Sequence, residues 1–228
     1  DVDLYRRVGD GEEAEHALRA AAAIDLLDLF RFEPRPGRTM VEAGGARRVA
    51  LVAYLGVTEY ARFHVDVVTG RPPTGPPEQV QSLLAMQLPG LASVPYRVYP
   101  LADHIADKVS ALLETHPRLH GAPVASSRYR DLADLVVVAR RTSVEAATLR
   151  KALQVEMQDR GLPLPERLSA PVGRDWPAGY ARVAAEVPEL GERDLAAAIA
   201  TASGFIDPIL QETAAGAWHP AKQHWSSG

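Results

Sequence analysis

Hydrophobic positions along this chain recur first at mixed and then at almost purely helical spacing, and the change marks its organisation. A short strand opens the chain and ends at Gly9–Gly11. Ala14, Leu18, Ala21, Ile24 and Leu27 then repeat at the 3.6-residue period, predicting a helix to about Phe30. After a turn at Pro34–Gly37, strand-like runs follow at Thr39–Ala43, Val49–Leu55 and Arg62–Val68. They are separated by Gly44-Gly45, read as a hairpin turn, and by Gly56–Glu59, which predicts short antiparallel pairing. The proline-rich stretch Arg71–Pro77 marks a boundary. Beyond it the pattern predicts a short helix over Gln79–Leu88, a strand near Tyr96, a helix from about Leu101, a connecting loop over His116–Ala125 and a helix opening near Ser127. Thr142 and Glu145 have the spacing of a capping box for a helix that runs to Arg160 and stops at Gly161. Asp175 is a candidate cap for a helix from Trp176 to about Glu186. A last helix spans about Glu192–Ser203 and continues past Asp207-Pro208, and the C-terminal stretch with Trp218 and Trp225 reads as a packed cap. The expected fold class is α+β: a small mixed sheet with helices over residues 1–70, then a helical C-terminal half over 78–228.

Three positions break the apolar pattern. In the helix from Leu101, the residues Leu101, Ile105, Lys108 and Leu112 share one stripe, so a lysine lies in a core-facing row. In the helix from Ser127, Leu132, Leu135, Val136 and Ala139 form the apolar face, with Asp131 inside its arc and Arg128 on the same side. Buried charge costs several kcal/mol unless paired or liganded. A Lys108–Asp131 ion pair joining two helices is therefore one reading, and a ligand-binding pair is the other. The third position is Asp66 in the apolar run Phe63–Val68, with His64 on the same face. At the start of the chain, Asp1 and Asp3 are two apart in a strand and so share a face, about 6–7 Å apart at the backbone. Carboxylates so placed can converge on divalent cations.

Composition narrows the options. A chain of 228 residues with 46% hydrophobic and 24% charged residues is an ordinary globular protein, and no stretch approaches the ~18 apolar residues of a membrane span. The absence of cysteine excludes disulfides and thiolate metal sites and fits a cytoplasmic location. A net charge of −4 argues against a generally basic nucleic-acid coat. The arginine pairs Arg6-Arg7, Arg47-Arg48 and Arg140-Arg141 read as solvated surface. Of 25 cationic residues only Lys108, Lys151 and Lys222 are lysines, which singles out the buried one. Phosphate-loop, zinc-protease, serine-hydrolase and dinucleotide fingerprints are all missing from the sequence.

The run YPLADHIADKVSAL followed by SSRYRDLADL resembles the AbiEii/AbiGii family of nucleotidyltransferase toxins, MenT-like members of the polymerase-β-type superfamily. The family's lysine falls on Lys108, and its R-x-x-D-x-x-D helix start on Arg128, Asp131 and Asp134. The resemblance spans roughly Asp1–Leu135. The family pattern has an upstream helix and strand that hold nucleotide phosphates, and relative to it the sequence reads as N-terminally incomplete. The resemblance implies an NTP- and metal-dependent nucleotidyltransferase of a bacterial toxin–antitoxin system. Asp1, Asp3 and Asp66 would hold Mg²⁺ or Mn²⁺, with Asp66 taking the attacking proton. Lys108 would neutralise the leaving phosphates, Asp131 would orient Lys108 or engage nucleotide, and Arg128 would contact phosphate, the helical half completing the active site. The implied acceptor is RNA, the tRNA 3′ end above all, with translation blocked, and the implied partner is a cognate antitoxin, with no membrane involved. Two alternatives stay open on the sequence: a catalytically silent nucleotide-binding or interaction module, and transfer of a nucleotide to a protein hydroxyl. If the three aspartates crowd one face, their repulsion should destabilise the metal-free protein.

Overall fold

The structure, a computed structural model, describes residues 2–7, 9–40, 46–70, 72–81, 95–114, 127–168, 173–188 and 190–226. The chain divides into two compact units, Asp1–Pro72 and Pro73–Gly228.

The first unit is a mixed five-stranded sheet with one helix. Its elements are β1 (Val2–Arg6), α1 (Gly11–Ala22), β2 (Phe30–Pro34), β3 (Arg38–Met40), β4 (Ala46–Leu55) and β5 (Thr58–Thr69). The strand order is β1-β5-β4-β2, with β3 also on β4; β1 runs parallel to β5 and the other pairings are antiparallel. Asp10 starts α1 by accepting the Glu12 and Glu13 backbone N–H groups at 2.9 Å each. The helix lays Ala14, Leu18 and Ala22 on the sheet face made by Val49, Leu51, Val65, Val67, Phe32 and Phe63. Along β5 the odd positions from Phe63 to Val67 therefore face α1, and the even ones, His64 and Asp66, face away.

Two expectations fail in this unit. The helix predicted to reach Phe30 ends at Ala22, and Phe30–Pro34 is a strand paired with Leu51–Leu55. Asp25 and Asp28 accept the Leu27 and Phe30 N–H groups at 2.8 and 3.0 Å, local bonds that compete with the helix ladder. Leu27 and Leu29 adopt positive φ, and Ile24 and Leu27, which extend the helical period, lie exposed instead of packed. The strands of the β4–β5 hairpin are also longer than the apolar runs that signalled them. The run at Thr39–Ala43 appears as β3 over Arg38–Met40; residues 41–45, including the Gly44-Gly45 turn, lie outside the described residues.

The second unit holds α2 (Leu101–Leu113), α3 (Tyr129–Arg141), α4 (Ala146–Asp159), α5 (Trp176–Glu186) and α6 (Leu195–Leu210). Two small ribbons accompany them, β6 (Glu78–Val80) with β7 (Tyr96–Val98) and β8 (Trp218–His219) with β9 (His224–Trp225). Its core joins Ile105, Val109 and Leu112 of α2 to Leu132, Leu135 and Val136 of α3, with residues of α4, α5 and α6 around them. Glu78–Val80 is a strand, not the beginning of the helix expected over Gln79–Leu88, and residues 82–88 lie outside the described ones. The loop expected over His116–Ala125 also falls outside them.

The Thr142–Glu145 capping box does not form. α4 begins at Ala146 without a side-chain cap, because Val144–Ala146 pairs with the C-terminal segment: Trp218 N–H donates to Val144 O at 3.0 Å and Ala146 N–H to Gly216 O at 2.8 Å. Asp175 precedes α5, but its side chain makes no cap hydrogen bond. α6 runs through Pro208 as expected and is capped by Asp194. Both C-terminal tryptophans pack against Phe205, and their indole N–H groups donate to Ala139 O at 2.7 Å and Phe205 O at 3.0 Å. Among the described residues no helix is long and apolar enough to cross a membrane.

Candidate functional site

In the first unit, strand register gathers the charges. Asp3 of β1 is the partner of Asp66 of β5, which is in turn the partner of Arg48 of β4. Register partners on adjacent strands point to the same face, so Asp3, Asp66 and Arg48 form a row about 4.8 Å per step across the sheet, opposite α1. Asp1 lies outside the described residues. Asp3 is exposed, and the Asp66 side chain is only 11% exposed. Arg48 grips Asp66 with two bonds, Nε to Oδ1 at 2.7 Å and Nη2 to Oδ2 at 2.5 Å. This fork-on-fork pair is the strong form of a charge-assisted hydrogen bond.

The Arg48 hydrogen bonds, acting against burial, hold the Asp66 carboxyl below the usual range, with Arg48's charge, His64 and Arg38 adding to the effect. The same bonds raise the Arg48 pKa, and the charge of Asp3 contributes. Asp66 is therefore an ionised carboxylate with a counter-cation already in place. At Asp66 the repulsion expected of crowded aspartates is offset by the Arg48 guanidinium.

Arg47, next in sequence, lies on the other face of β4. There it donates to Glu15 of α1, from Nε at 3.1 Å, and Glu15 also binds Arg19 and the Gly37 N–H. Burial alone would raise the Glu15 pKa, but these hydrogen bonds bring it down to about 2. The pair Arg47-Arg48 is thus two separate ion pairs, one on each face of the sheet, and not the solvated surface that its sequence suggested.

In the second unit the inward lysine meets its aspartates. The Lys108 side chain is 10% exposed, and its Nζ lies 3.3 Å from Asp131 Oδ1 and 2.5 Å from Asp134 Oδ2. Asp131 and Asp134 are one helical turn apart on α3, so both reach the same ammonium. Arg128, exposed at the start of α3, approaches Asp131 Oδ2 at 3.9 Å. Burial would lower the Lys108 pKa, but Asp134 and Asp131 more than compensate and raise it. Burial pushes the Asp131 carboxyl up despite Lys108. Lys108 is a held cation, and the more exposed Asp134 is its shorter contact.

The structure thus brings Asp3 together with Asp66, and Lys108 with Asp131 and Arg128; the two sets belong to different units. His64 is exposed two residues from Asp66 on its face. The sequence places Asp134 in the family's R-x-x-D-x-x-D motif without a role, and it gives Arg48 only as half of an arginine pair. For Asp134 the i, i+3 spacing from Asp131 was a usable signal. For Arg48 only strand register could have supplied one.

The Asp3–Asp66 pair suits a hard divalent cation. Arg48 takes one edge of the Asp66 carboxylate, each oxygen keeps further lone-pair capacity, and Asp3 adds a second carboxylate on the same face. Mg²⁺ commonly takes one or two carboxylates and completes its shell with water and substrate phosphates. Among the described residues no three His, Cys, Asp or Glu side chains converge as a preformed metal cage.

Comparison with known proteins gives one family. The family described as nucleotidyl transferase AbiEii toxin, type IV toxin–antitoxin system, matches residues 1–202. No curated protein matches the chain. Among solved structures, MenT4, a nucleotidyltransferase toxin from Mycobacterium tuberculosis H37Rv, is similar at 19% identity. The match covers 93% of this chain and 68% of that one, with a TM-score of 0.48.

Proposed function

Because the chain belongs to the AbiEii nucleotidyltransferase toxin family of type IV toxin–antitoxin systems, we propose that it transfers a nucleotide from an NTP to RNA, at the 3′ end of tRNA. Blocked translation is the consequence, and a cognate antitoxin is the partner that relieves it. The supply of NTP and tRNA places this activity in the cytoplasm.

In the proposed reaction the acceptor hydroxyl oxygen forms a bond to the α-phosphorus, the bond to the β-phosphate's bridging oxygen breaks, and pyrophosphate leaves. Asp66 accepts the hydroxyl proton. Asp1, Asp3 and Asp66 would hold Mg²⁺ or Mn²⁺, which supplies positive charge to the triphosphate and the attacking oxygen. Lys108, kept charged by Asp131 and Asp134, neutralises the leaving phosphates, and the exposed Arg128 guanidinium contacts phosphate. Asp131 orients Lys108. The observation that carries this reading is the register of Asp3 with Asp66 on adjacent parallel strands, which sets two carboxylates on one face.

The test is a panel of the four α-labelled NTPs with a tRNA pool and Mg²⁺ or Mn²⁺. Label is expected on RNA 3′ ends. Transfer to no RNA, or to the protein alone, would overturn the RNA assignment.

A further inference from the structure

The grip of Arg48 on Asp66 is stronger than a strand pair needs. Exposed charge pairs on the sheet surface contribute little even when forked, as Arg62 is on Glu59. Here a planar guanidinium covers both oxygens of a carboxylate that is itself 11% exposed. Asp3, the other carboxylate of the row, adds its charge to the same guanidinium. The neighbouring Arg47, equally placed in the chain, is spent on Glu15 across the opposite face, so β4 devotes one arginine to scaffold and one to the carboxylate row.

From this geometry we propose that Arg48 is a positioning residue that occupies the cation place beside Asp3 and Asp66 and competes with the divalent ion for Asp66. The inference rests on the reading that Asp66 holds metal. In the absence of metal the guanidinium keeps the carboxylate ionised, aimed and compensated, so the strand tolerates it. When a divalent ion arrives, the two cations face the same carboxylate and repel each other. The guanidinium either gives up an oxygen or weakens the ion's hold. Either way Arg48 makes the free protein a poor binder of bare metal, and favours metal delivered with the negative charge of a triphosphate.

The test is Mn²⁺ binding to the whole chain without nucleotide, read as free Mn²⁺ by electron paramagnetic resonance, for wild type, Arg48→Met, Arg48→Lys and Asp66→Asn. Removing a unit positive charge about 5 Å from a dication should tighten binding about ten-fold or more in Arg48→Met. Arg48→Lys keeps charge but loses the fork, and should fall between wild type and Arg48→Met. Melting in the absence of Mn²⁺ should be lowest for Arg48→Met, and added Mn²⁺ should raise it more than it raises wild type.

Mn²⁺ affinity in Arg48→Met equal to or weaker than wild type overturns the proposal, as does absence of binding in both. If Arg48→Met does not fold, Arg48→Lys decides by the same criterion. Asp66→Asn separates the two levels of inference. Unchanged Mn²⁺ affinity in Asp66→Asn removes the metal role of Asp66 itself. Loss of binding in Asp66→Asn with no change in the arginine variants removes only the role of Arg48.

Discussion

Replacing Lys108 by methionine removes the one cation that two aspartates of α3 share. Methionine matches the length of the lysine stem and suits the apolar stripe of Ile105 and Leu112, so the packing loss is small. The charge loss is not. Breaking a buried pair costs about 3–5 kcal/mol where the abandoned group is fully desolvated. Asp134 is 40% exposed and can be solvated, so its share is about 0–1 kcal/mol. Asp131, at 16%, carries the rest, giving a destabilisation of about 2–3 kcal/mol at pH 7.

The sign with pH follows from Asp131. Its folded pKa already lies above its usual value, through burial and against the pull of Lys108, and loss of Lys108 raises it further. A carboxyl with a raised folded pKa costs stability as pH climbs through that range. The deficit of Lys108→Met should therefore be least below about pH 4 and grow toward pH 7. Urea denaturation at both pH values reads it directly. Adding Asp131→Asn and Asp134→Asn to Lys108→Met removes the abandoned charges and should restore most of the stability. If Lys108 neutralises the leaving phosphates as proposed, nucleotidyl transfer stays lost in that triple variant. Recovered transfer in the repaired protein would show that Lys108 only ties α2 to α3. A Lys108→Met protein as stable as wild type at pH 7 would refute the burial reasoning.

Asp66→Asn should abolish transfer and, because it weakens the hold of Arg48, lower metal-free stability by about 1–3 kcal/mol in urea melts. Glu15→Gln should destabilise by about 2 kcal/mol at pH 7. Glu15 has a depressed folded pKa of about 2, so its contribution is present above its ordinary value and lost as pH falls toward about 2, where variant and wild type should converge. Arg160→Met should cost about 1–3 kcal/mol in the same assay. Arg160 joins Glu156 of α4 to Asp107 and Glu114 at the α2 side, and methionine keeps only its stem.

Where the helical period carries the signal, sequence and structure agree closely. The stripe of Leu101, Ile105, Lys108 and Leu112 placed α2 and its buried lysine, and Leu132, Leu135 and Val136 placed α3 with Asp131 turned toward it. Between Ala22 and Phe30 local hydrogen bonds override the helical period. There Ile24 and Leu27 keep helical spacing, but the Asp25 and Asp28 side chains capture the backbone donors and the segment becomes turn and strand. Thr142 and Glu145 had the right spacing for a cap, yet a strand-like bridge to a segment some 70 residues later claimed that backbone. The candidate site was legible as residue types and faces, not as partners. Asp3 opposite Asp66 and Arg48 opposite Asp66 are facts of register between strands that are not neighbours or not in fixed phase in the chain, and no periodicity within one strand encodes them.

The central claim is that the Asp3–Asp66 face performs metal-dependent nucleotidyl transfer. The most direct measurement is transfer of α-labelled nucleotide to a tRNA pool by wild type and by Asp66→Asn, each shown to be folded, with Mg²⁺ or Mn²⁺ and with chelator. Label on the RNA 3′ end that requires the divalent ion and vanishes in folded Asp66→Asn is the expected result. Equal labelling by the two proteins, or labelling that persists in chelator, would contradict the account.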